Sequence, residues 1–292
     1  MKRLRLLVVF IIVSSCARAQ RFHAGFFGGT AAYSGDLTSK IFPKNVTNGA
    51  AGVSLNYEVS DKLILRSGFI YAVVGGDDRF SDDPTLIARN LSFETALIEF
   101  SVAGEYYLFN LYDKRYSPYG FLGLGLFKFN PYTYDGKNKK TFLKPLSTEG
   151  QGLDGYPDRK PYSLVQVAIP FGGGIKFAVT DNLRVGVEAG LRKLFTEYLD
   201  DVSTNYVNRE DLLAAKGQLA VDISYRGDEL RIPGGGNSTL PYPAAGMQRG
   251  NPASKDAYYF VGIHLTHRLE NTNSGSPRNN RKRQTGCPVN VY

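Results

Sequence analysis

Eight stretches of this 292-residue chain alternate apolar with small or polar side chains at a period of two, and the connections between them alternate in length. Period two sends successive side chains to opposite faces of a strand, so each stretch reads as a β-strand with one apolar face. The stretches are 22–33, 51–59, 63–73, 94–109, 118–129, 165–179, 183–196 and 257–269. Most reach the ~9–11 residues that a tilted strand needs to cross a bilayer. Strands of soluble sheets usually stop at about five or six. Short connections occupy 60–62, 110–117 and 180–182, whereas long ones occupy 34–50, 74–93, 130–164 and 197–256. Strict alternation gathers every long loop at one end, for which a soluble sandwich has no reason.

The two faces differ in chemistry. In 183–196, Leu183, Val185, Val187, Ala189 and Leu191 oppose Arg184, Gly186, Glu188, Gly190 and Arg192. In 51–59, Val53, Leu55, Tyr57 and Val59 oppose Gly52, Ser54, Asn56 and Glu58. The apolar face suits lipid and the Gly/polar face suits a narrow lumen. Stretches 22–33 and 118–129 are too rich in Gly and aromatic residues for their faces to be assigned. Pro170 lacks the N–H that a barrel ladder uses, so a bulge is expected there beside Gly172–Gly174. The prediction is an all-β fold: an eight-stranded antiparallel transmembrane β-barrel, OmpA-like, with long extracellular loops and both termini periplasmic. Its inward set is Glu58, Arg66, Glu99, Glu105, Lys176, Arg184, Glu188 and Arg192, four acids and four bases. Unpaired charges inside eight strands are very costly, and such a barrel encloses little beyond its side chains. A paired charge plug is therefore expected, rather than an ion path.

The N-terminus, MKRLRLLVVFIIVSSCARAQ, has a cationic start, an apolar core over Leu6–Val13 and an Ala-Arg-Ala end. Residues 1–19 read as a secretory signal peptide, leaving a barrel over 20–269 and a basic periplasmic tail over 270–292. A rival reading is lipidation at Cys16 after Val13-Ser14-Ser15. The formal charge of +8 invites a nucleic-acid role. Four of its basic residues leave with the signal, and the tail holds Arg278, Arg281, Lys282 and Arg283, so the body itself is nearly neutral. No basic face remains to track phosphates, and no nucleic acid is predicted. Mean hydropathy of −0.24 excludes a bundle of membrane helices.

Candidate chemistry is sparse. His264 and His267 flank Thr266, but neighbouring strand positions face opposite ways. No nucleophile elbow or matched acid–base pair is present, so no catalytic residue, cofactor, metal or small-molecule substrate is assigned. His23 and His267 are expected near the membrane rim. Asp77-Asp78, Asp82-Asp83 and Asp200-Asp201 lack the spacing of a calcium loop and read as solvated loop acids. The loops Pro145–Pro157 and Phe195–Val207 are specific polar-aromatic texts, suited either to binding or to capping the barrel mouth.

Several segments carry a family resemblance. Thr148-Glu149-Gly150-Gln151-Gly152-Leu153, Pro161-Tyr162-Ser163-Leu164, Ile169-Pro170-Phe171-Gly172, Tyr198-Leu199-Asp200-Asp201-Val202-Ser203 and Gln248-Arg249-Gly250-Asn251-Pro252 occur in order along the chain. They resemble the PorG-type outer-membrane barrel family across about residues 22–269. The resemblance implies a non-enzymatic accessory or anchoring component of the type IX protein secretion machinery, which supports gliding motility in some bacteria. It further implies association with a periplasmic secretion ring, formed by a lipoprotein and its partner protein. The alternatives from other classes are a lipid-modifying barrel enzyme and a small passive outer-membrane protein. If the ring association holds, the periplasmic end is the expected docking surface: Asp61, Lys62, Asp113, Lys114 and Arg115 in the turns, with Arg278, Arg281, Lys282 and Arg283 in the tail.

Overall fold

Side-chain alternation carries directly into strand pairing. The computed structural model describes residues 21–38, 46–231, 235–236, 238–253 and 255–269. They form β1 (Phe22–Ser34), β2 (Asn48–Glu58), β3 (Leu63–Asp77), β4 (Ser92–Tyr107), β5 (Tyr116–Lys128), β6 (Tyr132–Tyr134), β7 (Lys140–Phe142), β8 (Val165–Ala178), β9 (Leu183–Leu194) and β10 (Ala257–Arg268). Eight of these close a ring in the order β1-β2-β3-β4-β5-β8-β9-β10, and β10 pairs back to β1. Every neighbour pair is antiparallel. The remaining two, β6 and β7, make a small hairpin attached where Tyr132 pairs Glu94 of β4.

At one end the chain reverses in tight turns with a shared chemistry. Ser60 Oγ accepts the Leu63 N–H at 3.1 Å, and Thr180 Oγ1 accepts the Leu183 N–H at 2.9 Å. A hydroxyl two or three residues before the next strand thus takes up a backbone donor that would otherwise be lost at the turn. The other end carries the four long connections. The barrel therefore has a short-turn end and a long-loop end.

The outward face is an apolar belt. Leu122 and Leu124 are 64% and 67% exposed, and Phe69, Ile98, Phe100, Val187 and Ile263 on other strands of the wall are exposed with them. At the short-turn end the belt finishes in aromatic rings. Phe22 and Tyr57 lie 4.9 Å apart and Tyr116 lies 6.5 Å from Phe177, with Tyr106 exposed beside them. β1 and β5 follow the same rule once paired: Phe27, Tyr119, Phe121 and Phe127 turn inward, and Phe26, Leu122, Leu124 and Leu126 turn outward.

Pro170 does not produce the expected bulge. The β8–β9 ladder keeps one register from Ala168↔Leu194 to Ala178↔Arg184. The β5–β8 ladder instead skips Gly123 and Leu124, opposite Pro170 and Ile169, and resumes unshifted at Gly125↔Ala168. The missing N–H costs a gap on one side and no inserted residue.

The described parts of the long loops hold three short α-helices. These are α1 (Pro84–Arg89), α2 (Arg209–Lys216) and α3 (Gln218–Ser224). Asp83 caps α1 by accepting the Thr85 N–H, and Asn208 caps α2 by accepting the Glu210 N–H. Gly217, at φ +83°, joins α2 to α3, and Leu212, Ala220 and Val221 pack under Leu146, Leu153 and Tyr156. At little more than two turns or fewer apiece, neither α2 nor α3 sustains a visible 3.6-residue period. No helix among the described residues is long and apolar enough to cross a membrane.

Candidate functional site

Inward-facing residues stack in layers along the barrel. Nearest the short-turn end, Glu58 is a hub: Arg184 donates to it at 2.6 Å, and the Tyr112 hydroxyl lies 2.8 Å from both carboxylate oxygens. Arg268 and His23 approach the same carboxylate at 3.6 and 3.5 Å. The Tyr112 ring is flanked by the guanidinium groups of Arg184 and Arg268, so the 108–115 turn folds back over the mouth. His23 and His267, expected near the rim, both lie towards this end, His23 buried in the layer and His267 exposed.

The next layer is built on Arg66. It donates twice to Glu188, at 2.6 and 3.1 Å, and lies 2.9 Å from Glu105. Lys176 reaches Glu105 at 3.3 Å, while Tyr107 and Tyr119 donate to Glu105 and Glu188, each at 2.6 Å. Glu105, Glu188 and His264 bring donor atoms within 4.8 Å of one another, the spacing of a metal triad. Arg66 Nη1 lies 2.6 Å from Glu188, 2.9 Å from Glu105 and 3.5 Å from His264 Nδ1. A guanidinium therefore fills the centre that an ion needs.

Above it, Arg192 and the Tyr258 hydroxyl both donate to Glu99, at 3.2 and 2.6 Å. Phe27, Phe127, Phe129 and Phe260 close the column with a dry aromatic layer. All eight inward charges named from the sequence thus face the lumen and pair there. The space beside Ser54, Arg66 and His264 measures about 30 Å³. A space of that size holds a water or two and does not make a channel. Arg268, His23, Tyr107, Tyr119 and Tyr258 join the same column. Strand parity alone places Arg268 and Tyr258 on the face of His264.

The long-loop end is covered by a folded cap. Glu149, fully buried, accepts the Ser203 and Thr204 N–H groups at 2.9 and 3.0 Å, the Thr204 hydroxyl at 2.7 Å and Arg249 at 2.9 Å. Gly150, at φ +79°, makes the turn beside it, where a Cβ falls 2.7 Å from Val207. Arg249 also donates to the Asp201 and Ser224 carbonyls at 2.7 and 3.1 Å. Asp78 binds Arg89 through both oxygens at 2.7 Å, and Arg89 donates in turn to the Arg249 carbonyl. Three loops are tied together by these few side chains.

The cap overturns one expectation. Asp77, Asp78, Asp200 and Asp201 are buried structural groups rather than solvated loop acids, whereas Asp83 is an exposed helix cap. Asp201 accepts Thr148 and Tyr162 at 2.5 and 2.7 Å, and burial pushes its carboxyl up to about 6 against the pull of Arg249. Buried Asp78 is likewise raised, with Arg89 opposing. The loop texts singled out from the sequence meet here: Glu149, Asp201 and Arg249 come from three of them. Arg249 joins Glu149, 100 positions before it, to the Asp201 carbonyl, 48 positions before it, too far to be read from spacing.

Asp61, Lys62, Asp113, Lys114 and Arg115 all lie on the short-turn rim, exposed to solvent. Lys114 sits 3.9 Å from the Phe109 ring centre, and Lys114, Arg115 and Arg184 border a cavity of about 290 Å³. Arg278, Arg281, Lys282 and Arg283, the 1–19 leader and Cys16 lie outside the described residues.

Among solved structures, the chain is similar to Neisserial surface protein A, at 10% identity and TM-score 0.41 over 85% of this chain and 96% of that one. It is also similar to a major outer membrane protein from Thermus thermophilus (9%, TM-score 0.37, 84% and 98%). Ail, the attachment invasion locus protein of Yersinia pestis, is a third (9%, TM-score 0.35, 84% and 99%). These likenesses are too distant to carry a functional argument. No curated protein matches the sequence. A family model does, over residues 2–216, and the chain belongs to that family, described as Domain of unknown function (DUF6089).

Proposed function

We propose that this protein is a multi-pass barrel of the bacterial outer membrane that serves as a non-enzymatic anchor in the type IX protein secretion machinery. The observation that carries the anchoring reading is the filled lumen: paired charges stack along the column, and the space beside Ser54, Arg66 and His264 measures only about 30 Å³. A barrel that conducts nothing is left with its two rims as working surfaces. The exposed apolar belt, finished by aromatic rings, supports insertion in lipid, because water is a poor solvent for so many contiguous aliphatic side chains. The secretion role itself rests on the loop segments that resemble the PorG-type family.

The rival reading as a lipid-modifying enzyme turns on His264. Its Nε2 lies 3.2 Å from Ser54 Oγ, the separation of a nucleophile and its base. Arg66, which can only donate, faces Nδ1 at 3.5 Å. Nδ1 is then the acceptor and Nε2 carries the proton, which is the wrong tautomer for taking the Ser54 proton. Geometry of this kind favours a structural histidine.

With long loops outside and both termini periplasmic, the ring docks at the short-turn rim through Asp61, Lys62, Asp113, Lys114, Arg115 and the 270–292 tail. Each exposed ion pair there contributes only ~0–1 kcal/mol, so docking is a sum of weak contacts. The test is co-purification from the native membrane in mild detergent. Deleting 271–292 weakens recovery of the ring proteins while the barrel remains folded. Intact association after that deletion, combined with its loss on deleting 197–256, assigns the contact to the long loops and overturns this reading.

A further inference from the structure

Tyr33 lies towards the long-loop end of the inward face of β1, where even the outward-facing Ala32 is fully buried. Its hydroxyl lies 2.5 Å from Asp200 Oδ2 and 3.2 Å from Asp256 Oδ1. The other oxygen of each carboxyl accepts one backbone N–H at 2.9 Å, Asp200 from Val202 and Asp256 from Leu199. Both aspartates are at most 2% exposed. A phenol has one proton to give, so it cannot satisfy two anions at once.

Nor does a cation among the described residues compensate. Lys255, next to Asp256, pairs with Glu197, whose other oxygen accepts the Ser203 hydroxyl. Arg89 is engaged by Asp78, and Arg249 by Glu149. The remaining facing groups are acidic: Asp36 after β1, Glu197 before Asp200, and Asp201 behind it, held by Thr148 and Tyr162. Two buried carboxyl groups that share one hydroxyl and face no uncommitted cation of the described chain require a proton held by the pair.

We propose that Asp200 and Asp256 share a proton under Tyr33 and so form a pH-sensitive latch that fastens the long-loop cap to the barrel wall. The elements it joins are distinct. Tyr33 belongs to the barrel, Asp200 opens the 197–256 loop and Asp256 closes it, so the latch pins both ends of that loop to β1. Burial, then mutual repulsion with the neighbouring acids, raises both carboxyls well above the ordinary 3.8. The sign follows: the closed cap holds a proton that the separated carboxyls release near 3.8. Closure is strongest in acid, weakens as pH rises from about 4 through the pair's own titration, and is weakest in alkali.

Hydrogen exchange on the full chain in detergent micelles tests this, at about pH 5 and about pH 9 and corrected for the intrinsic pH dependence of exchange. Amides of 197–207 and 245–256 exchange at least about tenfold faster at the higher pH, while β-strand amides do not change; tenfold corresponds to one unit of pKa displacement. Asp256→Asn supplies a permanently neutral partner and removes the pair's share of the step, leaving only what Asp36 and Asp201, each pushed up to about 6, contribute. Asp36→Asn keeps the pair's share, which separates the latch from Asp36. Equal cap protection of the wild type at both pH values overturns the proposal, as does an unchanged step in Asp256→Asn. If that variant does not fold, infrared spectra of the wild type decide. A protonated-carboxyl band persists at about pH 8, above the titration of Asp36 and Asp201, and its absence there overturns the latch.

Discussion

Arg66 shows how one side chain decides between readings of the lumen. It holds Glu105 and Glu188 together at 2.9 and 2.6 Å, occupies the centre of a metal-like triad and orients His264. The Arg66→Met variant leaves two carboxylates facing each other without their shared cation. Removing one partner of a buried pair typically costs about 3–5 kcal/mol, because the other charge stays buried and uncompensated. The expected outcome is a loss of that order in denaturant unfolding of the micellar protein. Adding Glu188→Gln to Arg66→Met recovers part of it, and a neutral effect of Arg66→Met shows the carboxylates to be satisfied elsewhere. Residues such as these are legible in the sequence because a charge on the face opposite an aliphatic row has nowhere else to go. Their partners are not, since Arg66 and Glu188 lie on strands far apart in the chain and only barrel closure brings them together.

Among the elements, the strands declare themselves and the loops do not. A period of two persists for ten or more residues in most of the barrel wall, and its edges move by only a few positions on pairing. Pro170 departs from expectation because a missing N–H donor can be absorbed by a two-residue gap in one ladder, with no change of register. The cap is the greater omission. Its helices are too short to show a period, and its buried acids look in sequence like any solvated pair. Glu149 gathers donors from two separate loop segments, so its charge matters more to the cap than to the barrel. Glu149→Gln places an amide N–H₂ among groups that all donate, leaving at least one buried donor unpaired at a cost of about 1–3 kcal/mol. Limited proteolysis of the variant is expected to cut within 145–160 and 197–256, while the strand core keeps its resistance to heat and detergent. Cleavage equal to that of the wild type contradicts the cap as described.

At the scale of the whole molecule, a lipid-facing belt surrounds a filled column that is closed at both ends. Tyr112 covers the short-turn mouth, aromatic rings seal the other, and the folded loops lie above them. Closure of this kind separates an anchor from a pore. Both belong to the same fold, so strand count and hydropathy cannot choose between them. Planar-bilayer recording of the purified chain makes the choice most directly. The account predicts no stable conductance steps under applied voltage in the wild type. Reproducible ohmic channels from the unmodified protein contradict the sealed lumen, and with it the proposed anchoring function.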